Sequence, residues 1–294
     1  MMVDEKLVAL ITEEVIRQLR RGQAASPAPP GPEAAEEPER SWEDEDITSE
    51  QCRAKPLLDH PQDMDALLRM KRRTTARIGV GRSGPRLNTQ TMLTLRADHA
   101  KARDAVFMDV DPKLIERLGL FTVQTMCTDK DTYVTRPDLG RKLSREGEET
   151  LRKNCVQGPD VQIYAADGLS SAAVEKNLEK ILPVLMEGLQ SKGLKVGTPF
   201  YMRFGRVAAE DQVAELLGAK VVCVLIGERP GLATAESMSA YIAYNARVGM
   251  PEANRTVVSN IHKNGLNAVE AGAYIVEVIE EILRQQASGV NLVK

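Results

Sequence analysis

Residues 220–231 read KVVCVLIGERPG. The apolar residues Val221–Ile226 are the longest uninterrupted apolar run in the chain, and a Gly-Glu-Arg-Pro-Gly turn closes it. A run that short and continuous predicts a strand over Lys220–Ile226 with both faces buried. It falls far below the roughly 20 residues of a transmembrane helix. The same alternation continues on either side. Upstream, Ala208–Leu217 reads as a helix, PFYMRF (Pro199–Phe204) as a strand, and Ser171–Lys192 as a long helix that Pro183 should kink. VQIYAA (Val161–Ala166) is a buried strand running into Asp167-Gly168, Pro137–Asn154 a helix, and Phe121–Thr125 a short strand. Downstream, Met238–Asn245 and Arg255–Ser259 are strands, and Val269–Ala287 is a closing amphipathic helix. Strands alternating with helices of this length predict an α/β domain, a mainly parallel sheet with flanking helices on both faces.

Ahead of that domain the composition changes twice. Val3, Leu7, Leu10, Ile11, Val15, Ile16 and Leu19 recur at three- and four-residue steps, the stripe of an amphipathic helix over 1–22. Acids at its start and arginines at its end suit the helix dipole. Residues 23–38, QAASPAPPGPEAAEEP, hold five prolines, and from Glu33 to Asp46 eight acidic residues face one arginine. A Pro/Glu-rich linker, extended or disordered, is therefore expected over 23–62. A helix held apart by such a tether is either a frayed terminus or a docking peptide that buries its stripe on a partner. A basic helical region follows over 63–108. From Lys71 to Arg103 nine Lys and Arg stand against Asp98 alone, either a solvated face or a surface for an anionic partner. The α/β domain takes 109–294.

The whole chain has 294 residues with 39 Lys plus Arg and 42 Asp plus Glu, a net charge of −3. That balance argues against a nucleic-acid coat, and 4% aromatics leave little for a base-stacking platform. Cys52, Cys127, Cys155 and Cys223 form no CxxC pair, so unrelated thiols in a reducing compartment are expected. The amino terminus lacks the basic leader and longer apolar segment of a secretory signal.

Few motifs carry chemistry alone. Gly79-Val-Gly81-Arg-Ser-Gly84 matches G-x-G-x-x-G literally, but Pro85 follows it and no strand-helix-strand unit surrounds it. A loop whose backbone approaches an anion or a partner fits better than a dinucleotide fingerprint. His60, His99 and His262 do not pair at metal-ligand spacing, so no metal site is expected. No nucleophile elbow, phosphate-binding loop or Asp-x-His-x-x-Gly motif occurs. What gathers is a set of polar turns after predicted strands: Asp167–Ser170, Gly205-Arg206-Val207, Gly227–Gly231 and Ser259–His262. In an open α/β sheet, ligands lie against the carboxyl ends of the strands. These four turns are expected to share that edge.

Those turns carry a resemblance. KVGTPFYMRFGRVAAEDQVAELLGAKVVCVLIGERPGL (Lys195–Leu232) strongly resembles the small (light) subunit of ethanolamine ammonia-lyase. So do RTTARIGVGRSGPR (Arg73–Arg86), Asp167–Ser170, Ser259–His262 and ASGVNLV (Ala287–Val293). The likeness runs in order over roughly residues 65–294. It implies a Rossmann-like domain over 109–294 and a subunit of an adenosylcobalamin-dependent lyase that turns ethanolamine into acetaldehyde and ammonia. In that family the large, TIM-barrel subunit holds the substrate, and the small subunit closes over part of the cobalamin. The cofactor is bound base-on, without a protein histidine on cobalt.

Carried over by position, the family's cobalamin contacts fall on Val207, Glu228 and Val257. Where this chain has Val257, some members carry cysteine, so any role of a sulfur is lost and a main-chain contact remains. By residue type alone, both valines also read as plain sheet core. Glu228 is an acceptor suited to the corrin's peripheral amide N–H groups. The resemblance implies no catalytic residue in this chain. It also implies packing in a bacterial microcompartment through residues 1–22, with neither nucleic acid nor membrane as partner. Two other readings stay open at this point: a non-enzymatic microcompartment adaptor, and a nucleotide-dependent oxidoreductase resting on Gly79–Gly84.

Overall fold

The computed structural model describes residues 46–58 and 60–293. The helix expected over 1–22 and the linker as far as residue 45 lie outside the described residues. The rest of the expected linker differs from expectation. Ser49 caps a short helix, α1 (Glu50–Ala54), by accepting from the Cys52 N–H at 3.2 Å. Leu57 then bridges Val80.

The basic region contains α2 (Met64–Lys71) and α3 (Thr89–Phe107), separated by a loop with a hairpin of β1 (Arg82–Ser83) and β2 (Arg86–Leu87). Gly84 at φ 61° makes the hairpin turn. Asn88 caps α3 through the Thr91 N–H. Asp98, buried on α3, explains part of the charge imbalance. It pairs with both Arg53 and Arg77, so those arginines serve the interior.

Beyond α4 (Pro112–Arg117), six strands form one sheet: β3 (Phe121–Gln124), β4 (Val161–Ala166), β5 (Phe200–Arg203), β6 (Val221–Gly227), β7 (Met238–Tyr244) and β8 (Thr256–Ile261). Their order across the sheet is β3-β5-β4-β6-β7-β8. The first three pairings are parallel, and β6–β7 and β7–β8 are antiparallel. The sheet is thus mixed: β3 to β6 are parallel as expected, and the reversed β7 departs from the all-parallel doubly wound pattern that the Rossmann-like expectation carries. The cause lies in the connections. A parallel return needs a long crossover, usually a helix. Residues 228–237 contain no helix, and residues 245–255 contain only the 3₁₀ turn Glu252–Asn254.

Side chains alternate across the sheet and build two cores. On one face α7 (Ser171–Ser191) and α9 (Ala268–Gln285) cover Val161, Ile163, Cys223, Leu225 and Ile242. On the other, α6 (Arg145–Asn154) and α8 (Ala209–Leu217) cover Tyr164, Phe200, Met202, Val222 and Val224. Every residue of β4 and β6 is buried, as a strand covered on both sides requires. The helix expected over 137–154 is divided into a 3₁₀ turn (Leu139–Arg141) and α6, which Ser144 caps. A short helix, α5 (Lys130–Thr135), precedes them. Pro183 lies inside α7 without ending it.

Candidate functional site

β3, β4, β5 and β6 run in one direction, β7 opposes them, and β8 runs with them again. The register confirms the consequence: Gly227, at the end of β6, faces Met238, which faces Ile261 near the end of β8. All four polar turns therefore lie on one edge of the sheet, the carboxyl edge. Connections leave the neighbouring strands β4 and β5 on opposite faces, α7 on one and α8 on the other, which opens a crevice at their ends.

The backbone of these turns is unusual. Gly168 (φ 56°) and Asn260 (φ 59°) are left-handed, as such residues tolerate, but Phe204 (φ 59°) is a bulky side chain in the same region. It is held there by burial of its ring between Tyr133, 6.0 Å away between centroids, and the Arg203 and Lys130 cations. The Phe204 carbonyl accepts from Thr125 Oγ1 at 2.9 Å. This strained residue aims Gly205-Arg206-Val207 out of β5. Gly227 admits no side chain. A Cβ there would stand 2.5 Å from the Asp167 carbonyl oxygen and closer still to that of Ser170. The turns after β4 and β6 are packed backbone to backbone.

At the crevice Asp167 is wholly buried. Its Oδ2 accepts from Lys130 Nζ at 2.9 Å and its Oδ1 from the Gly205 N–H at 3.3 Å. Burial raises its pKa, against the pull of Lys130. Glu228 begins the loop after β6, and the Tyr241 hydroxyl donates to its Oε1 at 2.9 Å. Val257 is the cross-strand partner of Tyr241. It is 45% exposed, because no described helix covers that face of β7 and β8. Val207 and Tyr241 both pack, half-buried, against the core under α8. The structure thus brings Val207, Glu228 and Val257 to one face of the sheet, Glu228 and Val257 through Tyr241. The plain-core alternative fails for Val257 and holds only in part for Val207.

Several participants have no local signature in the sequence: Lys130, Tyr241, and the buried trio of Glu210, Asp211 and Arg255. Arg255 Nε bonds Glu210, Nη2 reaches Asp211 at 2.6 Å, and Nη1 reaches Glu252 at 3.1 Å. One signal existed. Glu210 precedes Val213 and Ala214 by three and four residues, so it lies on the apolar stripe of α8. Other groups stay apart from this face. Gly79–Gly84 leads into a hairpin and not a helix, which removes the geometry of a dinucleotide fingerprint. A cavity of about 790 Å³ lies beside the loop after β6, with Lys71, Arg72 and Arg77 in its lining. His262 bonds within its own turn, its Nδ1 accepting from the Asn264 N–H at 3.3 Å.

Helices on both faces of a mixed sheet, with glycine turns on its common carboxyl edge, define an α/β protein. The family model described as ethanolamine ammonia-lyase light chain (EutC) matches residues 64–293, and the chain belongs to that family. Among similar proteins, the ethanolamine ammonia-lyase small subunit of Clostridium tetani is 56% identical over 247 residues, covering 84% of each chain. That of Fusobacterium nucleatum is 54% identical over 248 residues, again 84% of each. The Listeria monocytogenes protein is 49% identical over 247 residues, with the same coverage.

Proposed function

We propose that this chain is the small subunit of an adenosylcobalamin-dependent ethanolamine ammonia-lyase, which converts ethanolamine to acetaldehyde and ammonia. A large TIM-barrel subunit holds the substrate. Val207, Glu228 and Val257 of this chain form part of the cobalamin site. The observation that carries this is the uncovered face beside the turn after β6, where Tyr241, paired across the strands with exposed Val257, donates to the Glu228 carboxylate.

That face fits a corrin. Tyr241 occupies Glu228 Oε1 only, and a carboxylate accepts about four hydrogen bonds, so capacity remains for peripheral amide N–H groups. Val257 offers exposed surface to an apolar ring, and Val207 offers the border of the core. When bound, the cofactor supplies the carbon radical chemistry of the reaction. This chain's residues bind, orient and keep water from the ring, and no catalytic acid or base is assigned to it.

In the assembled two-subunit enzyme, Glu228→Ala should raise the apparent Kd for adenosylcobalamin by about tenfold to a hundredfold, the worth of charged hydrogen bonds. Absorbance titration measures it. Lost turnover at saturating cofactor with an unchanged Kd would contradict this role.

Residues 1–22 are proposed as an encapsulation tag for a bacterial microcompartment, on the strength of their apolar stripe and tether. Deleting them should release the enzyme from sedimenting shells without loss of lyase activity. Continued co-sedimentation of the truncated enzyme counts against the tag.

A further inference from the structure

We infer that Arg255 is a positioning residue for the cofactor wall: its guanidinium clamps the first turn of α8 to the start of β8 and so fixes Val207 relative to Val257. The inference rests on the cofactor reading above.

The links are contiguous. The Glu210 N–H donates to the Val207 carbonyl at 3.0 Å, so Val207 is tied to the first turn of α8. Oε1 of the Glu210 carboxyl group and Oδ1 of Asp211 accept from Nε and Nη2 of Arg255. Arg255 stands two residues before Val257, which places both side chains on the same face of the strand. The guanidinium therefore links the first turn of α8, which the Val207 carbonyl caps, to the residue two before Val257. Arg255 is itself fully buried, and its Nη1 also donates to the Met250 carbonyl at 3.2 Å and to Glu252. The guanidinium anchors the β7–β8 return as well.

Apolar packing alone would not do this. Val213, Ala214 and Leu217 hold α8 to the sheet, but such contacts are non-directional and permit sliding. A buried ion cluster adds little net stability over well-packed apolar residues, whereas a rigid planar fork sets geometry. Lysine keeps the charge and loses the fork. Arg255→Lys consequently separates geometry from charge.

The test uses the assembled two-subunit enzyme and adenosylcobalamin as titrant, read by visible absorbance, with thermal unfolding recorded in parallel. Arg255→Lys should raise the Kd by about tenfold while Tm moves by only a few degrees, a split that a merely structural role does not produce. Glu210→Gln, nearly isosteric, weakens one arm of the fork and should raise the Kd about threefold. It carries the comparison alone if the lysine variant does not fold. Glu228→Ala is the reference. A raised Kd in Glu228→Ala with wild-type Kd in the folded clamp variants overturns the clamp and leaves the cofactor reading standing. A wild-type Kd in all of them overturns the cofactor reading itself.

Discussion

Asp167→Ala should destabilise the chain by about 3–5 kcal/mol, because it strands one member of a buried ion pair. The Lys130 ammonium is 10% exposed and keeps little water to replace its partner, and the Gly205 N–H loses its acceptor at the same time. The loss should be felt locally. Gly205 leads into Val207, so the turn after β5 loosens with the core. Lys130→Met in the same chain should restore part of the stability, since the stranded charge is then gone and the methionine can lie against the Tyr133 and Phe204 rings. A double-mutant cycle by denaturant unfolding measures both effects. A double variant no more stable than Asp167→Ala would show that the pair is not what holds this corner.

The second large effect depends on pH. Burial pushes the Glu210 carboxyl from its ordinary 4.5 up to about 8, more than Arg255 offsets, and neighbouring Asp211 and Glu252 push the same way. The folded chain keeps this proton at pH values where the unfolded chain has released it. Stability from this group is full below pH 4.5 and is lost as pH rises through about 8, with a slope of up to about 1.4 kcal/mol per pH unit between. Glu210→Gln removes the titrating group and should flatten the decline. Asp167 and Asp211 also have raised pKa values, so a smaller slope of the same sign should persist. Unfolding measured between pH 5 and 9 compares the two, and equal slopes would refute the assignment to Glu210.

The strands were legible wherever burial on both faces left an unbroken apolar run. Val161–Ala166 is found with its expected ends, and Val221–Gly227 is displaced by one residue. Direction was harder. Nothing local in GERPGLATAES tells a parallel crossover from an antiparallel return except its lack of helix-forming pattern, and the mixed sheet follows from that lack. The four turns of the candidate site were readable because each follows a strand. The side chains that hold them were not. Lys130 lies 37 residues from Asp167, and Arg255 lies 45 from Glu210, distances at which no periodicity connects partners. The basic region misled for a related reason. One of its cations, Arg77, is spent on buried Asp98, so a count of charges overstated what faces outward.

Arg53 gives the amino-terminal segment a mechanical meaning. Its guanidinium donates to the Leu232 and Ala233 carbonyls, in the loop that starts at Glu228, and also grips Asp98. Glu50, one turn earlier, holds Lys263 just past β8. α1 is thus fastened to two rim loops before it meets any strand, and displacing it would disturb the loop that begins at Glu228 first.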